Sequence, residues 1–179
     1  MKKFQGKNIL VAGASGFIGI NLVNKLVSLG ANVRGTYFKN TKFPQNNHCT
    51  YFRADLENKE DALNVTKNID YVFMCAANSS GAAVIDKEPL VHLTPNLIMN
   101  ARILEAAYSN AVTKLCFISS NTVYPLTDYP VKESDSTYEF FEKYFIVGWM
   151  KLFSEKMCKM YSTAIEKPMD TLVVRPGNI

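Results

Sequence analysis

Near the start of the chain a short apolar run, Asn8-Ile-Leu-Val-Ala12, passes directly into Gly13-Ala-Ser-Gly-Phe-Ile-Gly19. An amphipathic segment follows and stops at Gly30. A strand that enters a helix through glycines at three-residue intervals strongly constrains the fold. Such a turn lets backbone approach a phosphate, and the helix N-terminus behind it offers N–H donors and the positive end of a dipole. The same glycines would also suit a strand–helix turn that only packs. The spacing is G-x-x-G-x-x-G, not the G-x-G-x-x-G of the common dinucleotide fingerprint. Its place at the head of a first β-α-β unit favours nucleotide binding.

The rest of the chain repeats the alternation. Strands are expected at Asn32 to Tyr37, Thr50 to Ala54, Asp70 to Cys75, Lys114 to Ser119 and Thr171 to Val174. Between them, helical periodicity marks segments at about Lys59 to Lys67, Pro89 to Asn110 and Tyr144 to Tyr161, while Pro125 to Glu142 is the least regular stretch. Parallel strands need crossovers of this length, so the pattern predicts an α/β fold, a Rossmann-like doubly wound parallel sheet. No internal repeat or linker divides the chain, which makes residues 1–179 one dinucleotide-binding domain. In such sheets ligands gather at the carboxyl ends of the strands. Gly13, Asp55, Ala76, Ser119 and Arg175 all fall at or just after strand ends.

Composition narrows the classes. The net charge of +4 comes from 20 basic and 16 acidic residues without a long basic run, so nothing calls for nucleic acid. The apolar run Tyr71 to Ala77 is far too short to span a membrane. Lys2 and Lys3 precede a stretch broken by Asn8, Gly13, Ser15 and Gly16, which reads as a strand and turn, not a signal peptide. Cys49, Cys75, Cys116 and Cys158 are scattered with no C-x-x-C pair, which suits reduced thiols and a cytoplasmic location. With His48 and His92 the only histidines, no metal site is expected.

The second strand of a dinucleotide fold ordinarily ends in an acid that holds the adenosine ribose hydroxyls of NAD. Here Tyr37 occupies that place, with Lys39 close by and Arg34 upstream. A missing acid beside cations favours the 2′-phosphate of NADP over NAD, although Lys39 also reads as a solvated loop charge.

Six pieces in order now carry a resemblance: Gly13 to Gly19; Asp55-Leu56; Cys75-Ala-Ala77, continuing Asn-Ser-Ser-Gly81; Ser119-Ser-Asn-Thr-Val-Tyr-Pro125; Gly148-Trp-Met-Lys151; and Arg175-Pro-Gly-Asn-Ile179. Together they resemble the extended short-chain dehydrogenase/reductase family of nucleotide-sugar epimerases, dehydratases and reductases. The layout is most similar to its GDP-fucose synthase branch. The resemblance implies an NAD(P)-dependent enzyme that moves a hydride at a sugar carbon. It assigns cofactor contacts to Gly13, Ser15, Gly16, Phe17, Ile18, Gly19, Tyr37, Lys39, Asp55, Leu56, Ala76, Ala77, Lys151 and Pro176. Asn78, Ser120 and Thr122 would face the substrate, Ser120 polarising the reacting oxygen. Lys151 would bind the nicotinamide ribose and tune the acid–base group. A homodimer pairing the two long helices is also implied; Ile98, Ala101, Leu104 and Ala107 fit that face, and equally an ordinary core.

Two departures qualify the match. The family's Y-x-x-x-K sets tyrosine and lysine on one helix face, but four residues before Lys151 stands Val147. Tyr144, one turn earlier, is the candidate replacement acid/base, or else a packing aromatic like Trp149. The chain also stops at Ile179, within the last motif, so a longer protein carrying a substrate domain is expected. The competing reading is a catalytically lapsed NADP(H)-binding regulatory or scaffold protein of the same fold.

Overall fold

A computed structural model describes residues 3–79, 88 and 90–177. Met1, Lys2, Ser80, Gly81, Pro89, Asn178 and Ile179, which figure in the sequence reading, lie outside the described residues.

Six strands form one parallel sheet: β1 (Asn8–Ala12), β2 (Asn32–Tyr37), β3 (Cys49–Arg53), β4 (Tyr71–Met74), β5 (Lys114–Ile118) and β6 (Asp170–Val174), in the order β3-β2-β1-β4-β5-β6. Helix α1 (Phe17–Ser28) follows β1, α2 (Lys59–Thr66) follows β3, α3 (Leu90–Ser109) precedes β5 and α4 (Phe145–Thr163) precedes β6. The order reverses beside β1: the chain winds outward to β3 and then returns to β4 on the other side. That switch point lies beside the glycine turn.

Strand alternation assigns the two faces. Leu10, Ala12, Val72, Met74, Leu115 and Phe117 point to one core, closed by α2, α3 and α4 through Ala62, Val65, Ile103, Leu104, Ala107 and Cys158. Ile9, Val11 and Val33 point the other way and meet Val23 and Leu26 of α1. Leu172 and Val174 on β6 lie beyond the cover of α1 and are 52% and 40% exposed. The expected face on α3 is divided: Leu104 and Ala107 enter the core, whereas Ile98 is exposed.

Helix boundaries follow local chemistry. Asn58 accepts the N–H groups of Glu60 (2.8 Å) and Asp61 (3.2 Å), capping α2. In α3, Pro95 has no N–H for the carbonyl of Val91. The Nδ2 of Asn78 donates to that carbonyl at 3.1 Å, so the proline opens the point at which the chain after β4 is fastened. Asn96 reinforces it: its Oδ1 accepts from the Asn78 N–H at 2.8 Å and its Nδ2 donates to the Asn78 carbonyl at 2.9 Å. Helix α4 begins at Phe145, which leaves Tyr144 at its N-terminal boundary, inside a short 3-10 turn, Glu142–Tyr144.

Candidate nucleotide-binding site

At the carboxyl ends of β1, β2, β4 and β5 lies an elongated cavity of about 680 Å³. The glycine turn after β1 stands midway along it, between the ends of β2 and β4. Gly13 has φ +83°, and a Cβ there would sit 2.6 Å from the Cα of Ala76, so both conformation and space call for glycine. A Cβ on Gly19 would strike the carbonyl of Gly13, which keeps α1 tight against the turn. Gly16 differs, because a Cβ there would meet only the Gly13 carbonyl at 3.4 Å. Thr36, at the end of β2, holds the turn: its Oγ1 accepts from the Gly13 N–H at 3.0 Å and its carbonyl from the Ala14 N–H at 2.7 Å.

Gly16 is the N-cap of helix α1, which has no side-chain cap and no acid in its first turn. Its first amide groups thus have no side-chain partner there, and Gly16, Phe17 and Ile18 line the cavity. A diphosphate supplies the acceptors such an end lacks. Ser15 lines the cavity from the turn itself; on the side of β2 and β3 come Tyr37, Lys39, Asp55 and Leu56, and on the side of β4 and β5 come Ala76, Ala77, Asn78, Lys151 and Pro176. Each of these residues was named from the sequence. Gly19, Ser120, Thr122 and Tyr144 are not part of the lining.

Ser120 accepts from the Thr122 N–H at 3.2 Å and caps the 3-10 turn Asn121–Val123. The Oγ1 of Thr122 is buried and has no hydrogen-bond partner among the described residues. Tyr144 packs on Phe141, ring centroids 5.8 Å apart. Trp149 lies among Tyr138, Phe140 and Phe145. Val147, four residues before Lys151, is half-buried.

Lys151 reaches the cavity from α4. Its Nζ donates to the carbonyl of Ile118 at 2.8 Å and stands 5.1 Å from the ring centroid of Phe117. Burial pushes the ammonium down to about 8, opposed by the nearby Cys75 thiol and Glu155 carboxylate. Cys75, also in the lining, is pushed up to about 12 by its own burial. Near neutral pH this end of the cavity therefore holds a protonated lysine and a neutral thiol.

Several lining residues were not assigned a site role from the sequence, among them Ser119, Met99, Phe38 and Asn40. Ser119 is buried and donates to Oε1 of Glu155 at 2.5 Å, while Glu155 also takes Nε and Nη2 of Arg175 at 2.9 and 2.6 Å. Lys151 and Glu155, four residues apart on α4, make no ion pair with each other; each has another partner. Met99 lines the wall from α3, and Phe38 and Asn40 line it after β2. Arg34 points to the other end of β2, donating to the carbonyls of Val65 and Lys67 at the end of α2 (2.8 and 2.9 Å). It is not one of the cations at the site. Among the described residues no cluster of His, Cys, Asp or Glu could hold a metal, and no helix is long and apolar enough to cross a membrane.

A parallel sheet whose glycine turn, uncapped helix and buried lysine share one cavity matches a known family model over residues 9–179, described as the NAD dependent epimerase/dehydratase family. The chain belongs to that family. Among curated relatives, GDP-mannose 3,5-epimerase 1 of Oryza sativa subsp. indica is 32% identical over 161 residues, covering 86% of this chain and 42% of that protein. GDP-L-fucose synthase of Sinorhizobium fredii is 29% identical over 125 residues, covering 70% and 36%. Among solved structures, a UDP-galactose 4-epimerase superposes with a TM-score of 0.80 at 30% identity, covering 94% of this chain and 55% of that one. MoeE5 in complex with UDP-glucose and NAD gives 0.80 at 26%, covering 94% and 53%. The chain spans about half, or less, of the length of these relatives. The family's cofactor is a nicotinamide dinucleotide, and the residues present suit one: the uncapped α1 amides would meet its diphosphate and Lys151 would supply a donor on the β5 side of the cavity.

Proposed function

We propose that this chain is the dinucleotide-binding domain of a nucleotide-sugar epimerase or reductase. The observation that carries the reading is one cavity joining the glycine turn, Asp55, Ala76-Ala77 and Lys151 along the strand ends. Bound there, the dinucleotide supplies a hydride acceptor or donor. The α1 amides neutralise diphosphate charge, and Asp55 meets the adenine amino group. Lys151 donates to the ribose hydroxyls and places a positive charge beside the reacting atoms. Ser120, Asn78 and Thr122 are the residues proposed to face the sugar. Tyr144 is the proposed proton donor, a role that requires its phenol to leave Phe141 for the cavity mouth.

A second reading rests on Val147: with no phenol one turn before Lys151, the domain would bind the dinucleotide in a regulatory or scaffold role without turnover. The family relationship also supports a cytoplasmic homodimer, and Phe145, Trp149 and Phe153 give α4 an exposed apolar stripe for it. The test is turnover of a panel of GDP-, UDP- and dTDP-sugars by the natural protein containing this chain, with Tyr144→Phe and Lys151→Met beside it. Epimerisation or reduction that both substitutions abolish supports the enzyme; dinucleotide binding without any turnover supports the second reading.

A further inference from the structure

The adenosine end of the cavity has an unusual charge arrangement. Tyr37 closes β2 where an acid would accept from the ribose 2′-hydroxyl of NAD, and it packs instead on Phe43 at 5.5 Å. The residue after it, Phe38, lines the cavity and is 36% exposed. Two cations rest on its ring: the Nζ of Lys39 at 6.0 Å and the guanidinium carbon of Arg53 at 5.6 Å from the centroid. Arg53 comes from the neighbouring strand, where register pairs it with Tyr37. Asn40 ties this segment to the glycine turn by donating to the Ser15 carbonyl at 3.1 Å.

Neither cation forms an ion pair among the described residues. Asp55 and Glu57 also line the cavity, but the Asp55 carboxylate accepts the Glu57 N–H at 3.1 Å within its own turn.

We infer that Lys39 and Arg53, held together by Phe38, form a site for a phosphomonoester on the adenosine ribose, so that the cavity selects NADP(H) over NAD(H). This rests on the dinucleotide reading above. A 2′-phosphate carries close to two negative charges and three acceptor oxygens, which a guanidinium and an ammonium complement. An unphosphorylated ribose would leave both cations uncompensated and find no carboxylate to accept from its 2′-hydroxyl at the end of β2.

Calorimetric titration of the natural protein with 2′,5′-ADP and with 5′-AMP isolates this phosphate. The site predicts at least tenfold tighter binding of 2′,5′-ADP, an advantage that shrinks as salt rises. Arg53→Gln and Lys39→Gln should each remove much of the advantage while leaving 5′-AMP affinity within about twofold. NADPH and NADH should repeat the pattern. Equal affinity for the two nucleotides in the wild type, or an advantage that survives the double substitution, overturns the inference and leaves the dinucleotide reading intact. Failure of 5′-AMP, NADH and NADPH alike to bind overturns both.

Discussion

Glu155 grips Arg175 with both carboxylate oxygens, Oε1 to Nε at 2.9 Å and Oε2 to Nη2 at 2.6 Å. The pair fastens α4 to the end of β6. Glu155 is buried and also takes the hydroxyl of Ser119, and Arg175 continues to the Tyr124 hydroxyl at 3.0 Å. Hydrogen bonding by Glu155 raises the Arg175 guanidinium further above its ordinary range.

Removing one partner leaves the other charge uncompensated in a mostly buried place. Arg175→Met should therefore cost about 3 kcal/mol of unfolding free energy. The double substitution Glu155→Met with Arg175→Met should cost less than Arg175→Met alone, because no orphaned charge remains. Urea unfolding of the three proteins checks this.

The glycines of the first turn should separate into two kinds. Gly13→Ala meets both a positive φ and the Ala76 backbone, and should destabilise the fold by about 2 kcal/mol or more. Gly16→Ala has room within the protein, so stability should hold within about 0.5 kcal/mol. Gly16 lines the cavity where the diphosphate is proposed, so with the added methyl group dinucleotide affinity should fall roughly tenfold, a loss of about 1.4 kcal/mol. Thermal unfolding and calorimetric titration read the two effects separately.

Lys151 makes stability depend on pH in a defined direction. Its value is lowered from 10.5 to about 8 by burial. Below about pH 8 the lysine is protonated both folded and unfolded, and burial of its charge weighs fully against the fold. Between the folded and the unfolded values only the unfolded chain keeps the proton, so this contribution rises with pH. The stability of wild type relative to Lys151→Met should thus increase from about pH 7 to about pH 10, by on the order of 2 kcal/mol. Dinucleotide affinity should move the opposite way, weakening above about pH 8 as the ammonium that meets the ribose is lost.

The fold was legible because its signals are local. β1 runs from Asn8 to Ala12 as expected, an apolar run bounded by Asn8 and Gly13, and the strand–helix alternation implied the parallel sheet. What depends on register or on distant partners was not legible. Arg53 meets Phe38 through the pairing of β3 with β2, and Ser119 meets Glu155 across 36 residues of sequence. Helical periodicity put Tyr144 on the face of Lys151, but α4 begins one residue later and that face does not extend to it. Of two adjacent serines, only the strand geometry shows that Ser119 lines the cavity while Ser120 caps a turn.

The most direct test of the account is calorimetric titration of NADPH into the folded chain at neutral pH. Saturable binding of one dinucleotide per chain, weakened at least tenfold by Gly16→Ala and by Lys151→Met, is the predicted result. Absence of saturable binding by NADPH and by NADH to a protein shown to be folded would contradict it.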